Sequence, residues 1–416
     1  MNEARQITLG DIVAARRRIS KALRPTPLVH AYNLSQRTGV DLYLKLESSH
    51  ITGSFKERGA LNCLMTLTDA QREAGVVAAS AGNHAQGLSL HATRLGVKAT
   101  IVMPENTPIV KVTRTSGYGG NVMLHGATFD DANARARALC LESGATYVSA
   151  FNHPAVIAGQ GTCALEVLER DDDFDAIIVP VGGGGLLAGM STAFKEMGAS
   201  TEIIGVQTEA FPSMVRSIES GHVVEVPAQR TIADGIAVRA PGNNTFSLVQ
   251  QYVDSMITVS EEDITRAILA LIENERVIAE GAGATPVAAL LAGKLPHLKG
   301  KRVCLVISGG NIDTNVISDI IQRGLVRSGR RVELEVAVPD RPGTLARLTT
   351  VVAEEQANVL EIRHERAFSE VSLGETDISL WLETRSTAAI HTLCARLERE
   401  GFRVRRNSIH NQHDSH

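Results

Sequence analysis

The stretch AIIVPVGGGGLLAGMSTAF, residues 176–194, limits the folds open to this chain more than any other. It runs 19 residues without a charge, long enough to raise the question of a membrane span. Pro180 and four consecutive glycines interrupt it, and a strand, a turn and a helix fit that pattern better. The run AIIVPV shows no polar alternation, as in a strand covered on both faces. A strand of that kind belongs in a parallel sheet flanked by helices.

Other runs repeat the pattern up to about residue 320. VVAA (76–79), ATIVMP (99–104), IIGVQ (203–207) and RVCLVIS (302–308) read as buried strands. Helical patterns lie between them. The clearest is 260–272, where Ser260 and Asp263 form a capping box. Ile264, Ala267, Ile268, Leu271 and Ile272 then share one face. Alternating strands and helices predict an α/β architecture with parallel-rich sheets. The basic residues Arg16, Arg17 and Arg18 read as the solvated face of an N-terminal helix.

The pattern changes after QRGLVRSGRR (322–331), a polar, basic stretch suited to a linker. From 332 the residues Val332, Leu334, Val336 and Val338 alternate, as in a half-exposed strand. A turn and helix follow, then strand-like runs at 359–368 and 378–384, a second helix and a last strand at FRVRR. This order, β-α-β-β-α-β, predicts an α+β ferredoxin-like unit with an open sheet face. The expected domains are therefore 1–325, a linker at 326–331, the small unit at 332–406 and a disordered polar tail at 407–416.

Composition excludes several function classes. Of 416 residues, 44% are hydrophobic and 21% charged, and the net charge is −4. Such a chain is globular, with no electrostatic case for nucleic acid or an anionic membrane. Cys63, Cys140, Cys163, Cys304 and Cys394 form no CxxC pair, which argues against a zinc site or a disulfide framework and for a reducing cytoplasm. The N-terminus shows no apolar signal segment.

Three strand-to-helix junctions are glycine-rich: SAGNHAQG (80–87), GGGG (182–185) and SGGN (308–311). In an open α/β sheet such junctions lie where ligands bind. At Gly182, Gly183, Gly184 and Gly185, successive N–H groups can converge on an anion, and the following helix adds its N-terminal dipole. A tight turn alone rarely needs four glycines, so a phosphate is expected there. Neither GxxxxGK[ST] nor GxGxxG with a downstream acid is present, so a nucleotide is not indicated. A single lysine, Lys56, sits among small residues in GSFKERGA (53–60). A lysine and a phosphate cradle together point to a phosphorylated aldehyde, of which pyridoxal 5′-phosphate is the common one.

Together with HPAVIAGQGT (153–162), TIADGIAVR (231–239) and EGAGA (280–284), these motifs resemble threonine dehydratase (threonine ammonia-lyase). That family belongs to the two-lobed, fold type II pyridoxal-phosphate enzymes, the tryptophan-synthase-β-like group. The resemblance runs from about Arg24 to Ser318, and the C-terminal unit, with VPDRPGTLARL (338–348), resembles an ACT domain.

The resemblance implies roles. Lys56 would be the Schiff-base lysine and the base for the α-proton. Phe55 would pack near the cofactor ring, and Asn83 would bond its 3′-oxygen. Gly182, Gly183, Gly184, Gly185 and Leu186 would hold the phosphate. Ser308 would face the pyridine nitrogen, and Glu280 would lie near the ring. The backbone of Ser80, Ala81, Gly82, Asn83 and His84 would hold the substrate carboxylate. Lys56 is expected among small residues so that the cofactor can reach it, with RGA opening a helix packed closely on the sheet.

The implied reaction is deamination of L-threonine to 2-oxobutanoate and ammonia, and of L-serine to pyruvate. Ser308, a neutral partner for the ring nitrogen, favours β-elimination over transamination. Racemases of the group carry a serine where this chain has Ala81, so racemisation should be poor. Their metal-binding glutamate matches Gln207, with Glu209 nearby, and no metal is expected. An isoleucine or valine effector at the ACT unit and a homodimer or homotetramer are implied. The alternatives are a serine dehydratase or racemase-like enzyme of the same fold, or a silent amino-acid sensor.

Overall fold

The structure, a computed structural model, describes residues 7–170, 173–365 and 374–406. The tail at 407–416 and the end of the run at 359–368 lie outside the described residues. The chain divides into two compact units, one up to Asp313 and one from Thr314.

Every residue of strand Ala176–Pro180 is buried. It lies inside a six-stranded sheet ordered Leu28–His30, Asp41–Leu46, Arg302–Ile307, Ala176–Pro180, Glu202–Thr208, Ser255–Val259. Only the first pair is antiparallel. A second, wholly parallel sheet is ordered Asn121–Leu124, Ala99–Met103, Val76–Ala79, Thr146–Tyr147. The glycine-rich junctions follow Val76–Ala79, Ala176–Pro180 and Arg302–Ile307, at the carboxyl ends of parallel strands, as the patterns predict.

Helix Leu9–Ile19 begins at a capping box between Thr8 and Asp11 and buries Ile12, Ala15 and Ile19. Its basic cluster is not a solvated face. Arg16 donates to Glu166 at 2.7 Å and to Glu169 at 3.0 Å, while Arg18 donates to Asn62. Only Arg17 is exposed. Arg16 follows directly on the buried Ala15, so its guanidinium lies at the edge of the helix–helix contact, within reach of Glu166.

Behind this helix lies a buried charge cluster. Arg58 donates to both oxygens of Glu47, at 2.6 and 2.8 Å, and to both of Glu166, at 2.7 and 2.8 Å. Lys45 donates to Glu166 at 2.6 Å and to the Thr26 carbonyl at 2.9 Å.

Helix Pro154–Arg170 is held at van der Waals contact on two sides by glycine. A Cβ on Gly159 would lie 2.6 Å from the Gly59 Cα and 2.7 Å from the Arg58 carbonyl oxygen. A Cβ on Gly189 would lie 2.4 Å from the Ile157 carbonyl oxygen. The close packing expected of RGA is thus against a helix, not the sheet. Both neighbouring atoms are backbone and cannot turn aside.

The second unit opens with helix Thr314–Arg327, and its first strand is Arg331–Pro339. Of the stretch read as a linker, only residues 328–330 lie between elements. The strands form an antiparallel sheet ordered Asn358–Glu365, Glu375–Glu383, Arg331–Pro339, Arg403–Arg406. Val332, Leu334, Val336 and Val338 are buried against Leu348, Val352, Leu393 and Leu397 of helices Thr344–Glu354 and Thr387–Arg399. The β-α-β-β-α-β order is the one its alternation predicts.

Gly159→Ala should force this helix crossing apart. Overpacking of this kind costs about 1–3 kcal/mol. The urea midpoint of unfolding is expected to fall accordingly, while Gly144→Ala, at an open surface position with positive φ, serves as the comparison for backbone strain alone.

Candidate active site

Phe55 precedes helix Lys56–Met65, so Lys56 is the first helical residue. The loop before it is bound to the large sheet. The Phe55 N–H donates to the Ser308 carbonyl at 3.0 Å, and the Gly310 N–H to the Gly53 carbonyl at 2.9 Å. Ser54 bridges Gly309. The lysine and the SGGN junction, far apart in sequence, therefore form one backbone unit. Ser308 is 2% exposed at the end of its strand.

The Lys56 amine donates to the Ala150 carbonyl at 2.9 Å and lies 5.0 Å from the Phe55 ring centroid. Burial pulls its pKa down to about 8, and the Glu280 carboxylate opposes that shift. Glu280 occupies the position just before helix Gly281–Leu291, with its carboxyl turned away from the helix N–H groups. Burial pushes its carboxyl up to about 7, against the hydrogen bond from Asn83. Asn83 Nδ2 donates to both Glu280 oxygens, at 2.8 and 3.0 Å. The two shifts are opposite in sign and share one cause: each charged form is poorly solvated there.

His84 is 2% exposed, and its Nε2 bonds the Val148 carbonyl at 3.0 Å. Burial, and then the nearby Lys56 charge, lower its pKa to about 3, so its ring stays neutral. The Ser80 N–H already donates to the Val102 carbonyl. The Gly82 N–H donates to the Ser80 hydroxyl at 3.3 Å, which leaves Ala81, Asn83 and His84, at the start of helix Asn83–Arg94, as the candidates to face an anion.

The glycine junction fits a phosphate. Gly184 has φ +92°, and helix Gly185–Glu196 starts immediately after it. The Gly183 carbonyl turns to the Thr245 hydroxyl at 2.6 Å. Among the described residues, none of the N–H groups of Gly182, Gly183, Gly184, Gly185 and Leu186 donates to another backbone carbonyl. A Cβ on Gly183 would meet the Phe151 ring at 2.3 Å. The Leu186 side chain is buried in the core, so only its backbone can serve the site. Phe151 follows Ala150, the lysine's acceptor, so one segment ties the cradle to the amine. A cavity of about 290 Å³ opens beside that segment, lined by Ala79, Tyr147, Ser149, Ala150, Phe151 and Asn152 among others.

The structure thus brings Phe55, Lys56, Asn83, Glu280 and Ser308 together, with the glycine cradle joined through 150–151. Two participants carry no role in the sequence reading, Ala150 and Asn311. Ala150 acts through its carbonyl, which leaves no side-chain signal. Asn311 lies inside SGGN, and its donors, at 2.6 Å to the Thr52 carbonyl and 2.8 Å to Asn83, are visible only in three dimensions. Gln207 is a structural group: it is fully buried, and its Oε1 accepts the Met214 and Val215 N–H bonds. Glu209 pairs with Lys294. Among the described residues, no three metal-ligating side chains cluster, and no helix is long and apolar enough to cross a membrane.

A half-buried amine with a lowered pKa, joined to a cradle of N–H groups without backbone acceptors, marks a lysine-dependent cofactor enzyme. The family model described as pyridoxal-phosphate dependent enzyme matches residues 19–309, and that of the ACT domain matches 332–382. The chain belongs to the pyridoxal-phosphate dependent enzyme family, its cofactor is pyridoxal 5′-phosphate, and it carries a C-terminal ACT domain.

Its relatives narrow the class. The L-threonine ammonia-lyase of Thermotoga maritima is 49% identical over 399 residues, 96% of this chain and 99% of that protein. That of Geobacter sulfurreducens is 46% identical over 390 residues, 93% of this chain and 96% of that protein. Among solved structures, processed threonine deaminase isoform 2 from Solanum lycopersicum aligns with TM-score 0.72 and 38% identity, covering 76% of this chain and 86% of that one. Serine racemase from Dictyostelium discoideum aligns with TM-score 0.70 and 36% identity, covering 74% and 99%.

The Lys56 amine is neutral, and so nucleophilic, above about pH 8. The uptake rate of pyridoxal 5′-phosphate by the cofactor-free protein should rise through that pH. Glu280→Gln removes the charge that raises the Lys56 pKa, so the midpoint should move to lower pH. An unmoved or raised midpoint contradicts the coupling.

Proposed function

We propose that this chain deaminates L-threonine to 2-oxobutanoate and ammonia, acts also on L-serine to give pyruvate, and answers to an amino acid bound at its ACT domain. The observation that carries the reading is the Lys56 amine, held by a backbone carbonyl at 2.9 Å and brought to about pKa 8 within one network with Asn83 and Glu280. The near full-length relatives named L-threonine ammonia-lyase support the substrate.

The cofactor supplies electron withdrawal from the substrate's α-carbon. The chain's residues do the rest. The N–H groups of Gly182, Gly183, Gly184, Gly185 and Leu186 hold the phosphate, with the dipole of helix Gly185–Glu196 behind them. Those of Ala81, Asn83 and His84 hold the substrate carboxylate at a second helix start. Phe55 packs near the ring, and Asn83 donates to the ring oxygen. Ser308 offers the ring nitrogen a neutral hydroxyl. Lys56, neutral near its lowered pKa, takes the α-proton. Glu280, close to half protonated at neutral pH, stays beside the ring without imposing a full charge. Ala81 offers no proton to the opposite face, which favours loss of the β-hydroxyl over racemisation.

We place the catalytic part at 1–325, with residues 332–406 as the regulatory part. Isoleucine is the first candidate effector and valine the second. The glycine at the start of helix Thr344–Glu354, Gly343 with φ +90°, leaves N–H groups able to receive a carboxylate. The half-covered sheets of such units pair with copies of themselves, so a homo-oligomer in the cytoplasm is expected.

Two tests follow from this reading. Lys56→Ala should abolish 2-oxo-acid formation from both L-threonine and L-serine, a loss of many orders of magnitude in kcat, because both the covalent attachment and the base are removed. Near-normal turnover by this variant would remove the lysine from the mechanism.

The second concerns regulation. A chain ending at Ser328 should keep threonine turnover and lose the effector response. In the full chain, isoleucine or valine should shift threonine saturation by roughly 5–150-fold, the usual size of such coupling. No shift with either amino acid, or an equal shift in the shortened chain, would take the regulatory role from the ACT domain.

A further inference from the structure

Asn311 occupies a junction that the reaction as described does not use. Its Nδ2 donates at 2.6 Å to the Thr52 carbonyl and at 2.8 Å to Asn83 Oδ1. Its backbone N–H reaches the Glu280 carboxylate and helps to hold that carboxyl's pKa down. Room for the amide is made by Gly53, φ +72°, where a Cβ would lie 2.6 Å from Asn311 Oδ1. Room for Glu280 is made by Gly309, where a Cβ would lie 2.5 Å from Glu280 Oε1.

The polarity of this chain is set from the Thr52 end, and the Glu280 carboxylate, which accepts from Asn83 Nδ2, agrees with it at the other. A backbone carbonyl only accepts, so the Asn311 atom facing Thr52 must be its NH₂ group. The Thr52 carbonyl cannot turn, because the N–H of the same peptide unit, that of Gly53, donates to the His50 carbonyl at 2.9 Å, while the peptide before it is held by the Thr52 N–H, which donates to the buried Glu57 at 2.5 Å. The same NH₂ faces Asn83, so the Asn83 atom opposite it must be oxygen. The Asn83 NH₂ group is then forced toward Glu280 and the space beside it.

We propose that Asn311 is a positioning residue that transmits the fixed polarity of the Thr52 carbonyl to Asn83, so that Asn83 presents a donor, never an acceptor, to the cofactor's ring oxygen. The inference rests on the reading that Asn83 faces that oxygen. A donor there stabilises the oxygen as an anion and leaves the shared proton on the imine nitrogen. An acceptor would favour the proton on oxygen. The two forms differ in colour: the first absorbs in the visible, the second in the near ultraviolet.

Asn311→Asp tests this directly. A carboxylate cannot donate to Thr52, and it draws the Asn83 NH₂ group toward itself, turning Asn83 Oδ1 toward the cofactor and toward Glu280, whose carboxyl, with its raised pKa, then carries the proton between them. The holoenzyme's ratio of visible to near-ultraviolet absorbance should fall roughly tenfold or more, the range expected for exchanging a hydrogen bond to a charged group. Asn311→Ala, which removes the constraint without reversing it, should give a smaller fall. In an Asn83→Ala background the Asp substitution should leave the ratio unchanged, since no amide remains to turn.

A loop anchor of purely structural kind would weaken cofactor affinity and lower stability in both Asn311 variants while leaving the ratio at its wild-type value. That outcome overturns the proposal, as does an equal fall with and without Asn83. If the wild-type protein takes up the cofactor but Asn83→Ala itself leaves the ratio unaltered, the placement of Asn83 at the ring oxygen fails, and this inference with it. Failure of the wild-type protein to bind the cofactor would instead overturn the functional reading.

Discussion

Arg58 is the interaction on which the rest of the catalytic unit depends. It lies two positions after Lys56 in the same helix, about 200° around the axis, so the two side chains leave on opposite sides. On its side Arg58 is fully buried between Glu47, beyond strand Asp41–Leu46, and Glu166 of helix Pro154–Arg170. Burial pushes Glu47 up, but Arg58 and His50 together hold it well below the usual carboxylate range. Such a cluster costs several kcal/mol of desolvation per ion and holds only when its hydrogen bonds are complete. Here four guanidinium bonds, Lys45 and Thr26 complete them. The geometry is therefore narrow, and the helix that carries Lys56 inherits that narrowness. Paired charges on one side make it possible to leave, on the other, an amine held by a backbone carbonyl and no carboxylate.

On that other side the site avoids ion pairs. Lys56 is bonded to a carbonyl, and Glu280 to a carboxamide. Each then sits near the pH at which it can exchange a proton. Had Lys56 met Glu280 at salt-bridge distance, the pair would have fixed both charges and lost that freedom. His84, neutral beside them, adds no competing charge. The same helix thus separates two kinds of electrostatics, one rigid and fully paired, one neutral and poised.

The sequence makes most of the fold legible because its strands are short, apolar and bounded by glycine, and because alternation at Val332, Leu334, Val336 and Val338 marks the change of sheet type. The capping box of Ser260 and Asp263 is equally readable. What is not legible has a common cause. Arg16, Arg58, Lys45 and Glu166 carry charge, and hydropathy assigns charge to the surface, whereas their partners are up to 150 residues away. The basic stretch at 322–331 fails for the same reason, since its first half completes helix Thr314–Arg327. In the site, residues recognised by motif are found together, but Ala150 acts through its carbonyl and Asn311 through its orientation. Neither has a periodicity or composition that a linear pattern can show.

The glycines explain how so much fits into one place. At 182–185 they free N–H groups for an anion. At Gly53 and Gly309 they leave room for the Asn311 amide and the Glu280 carboxylate. At Gly59, Gly159, Gly161 and Gly189 they let three helices touch backbone to backbone. Gly184 and Gly53, both at positive φ, draw on glycine's backbone freedom; Gly59, Gly159, Gly161, Gly189 and Gly309 draw on its lack of a Cβ. A chain rich in glycine is usually read as flexible, since glycine loses the most entropy on folding. Here that entropy is exchanged for proximity. The helix of Lys56 is held by Gly159 from one side and by the bridge of Ser54 to Gly309 from the other. The lysine is thus fixed at the start of a helix clamped from both sides, with its amine turned to the Ala150 carbonyl.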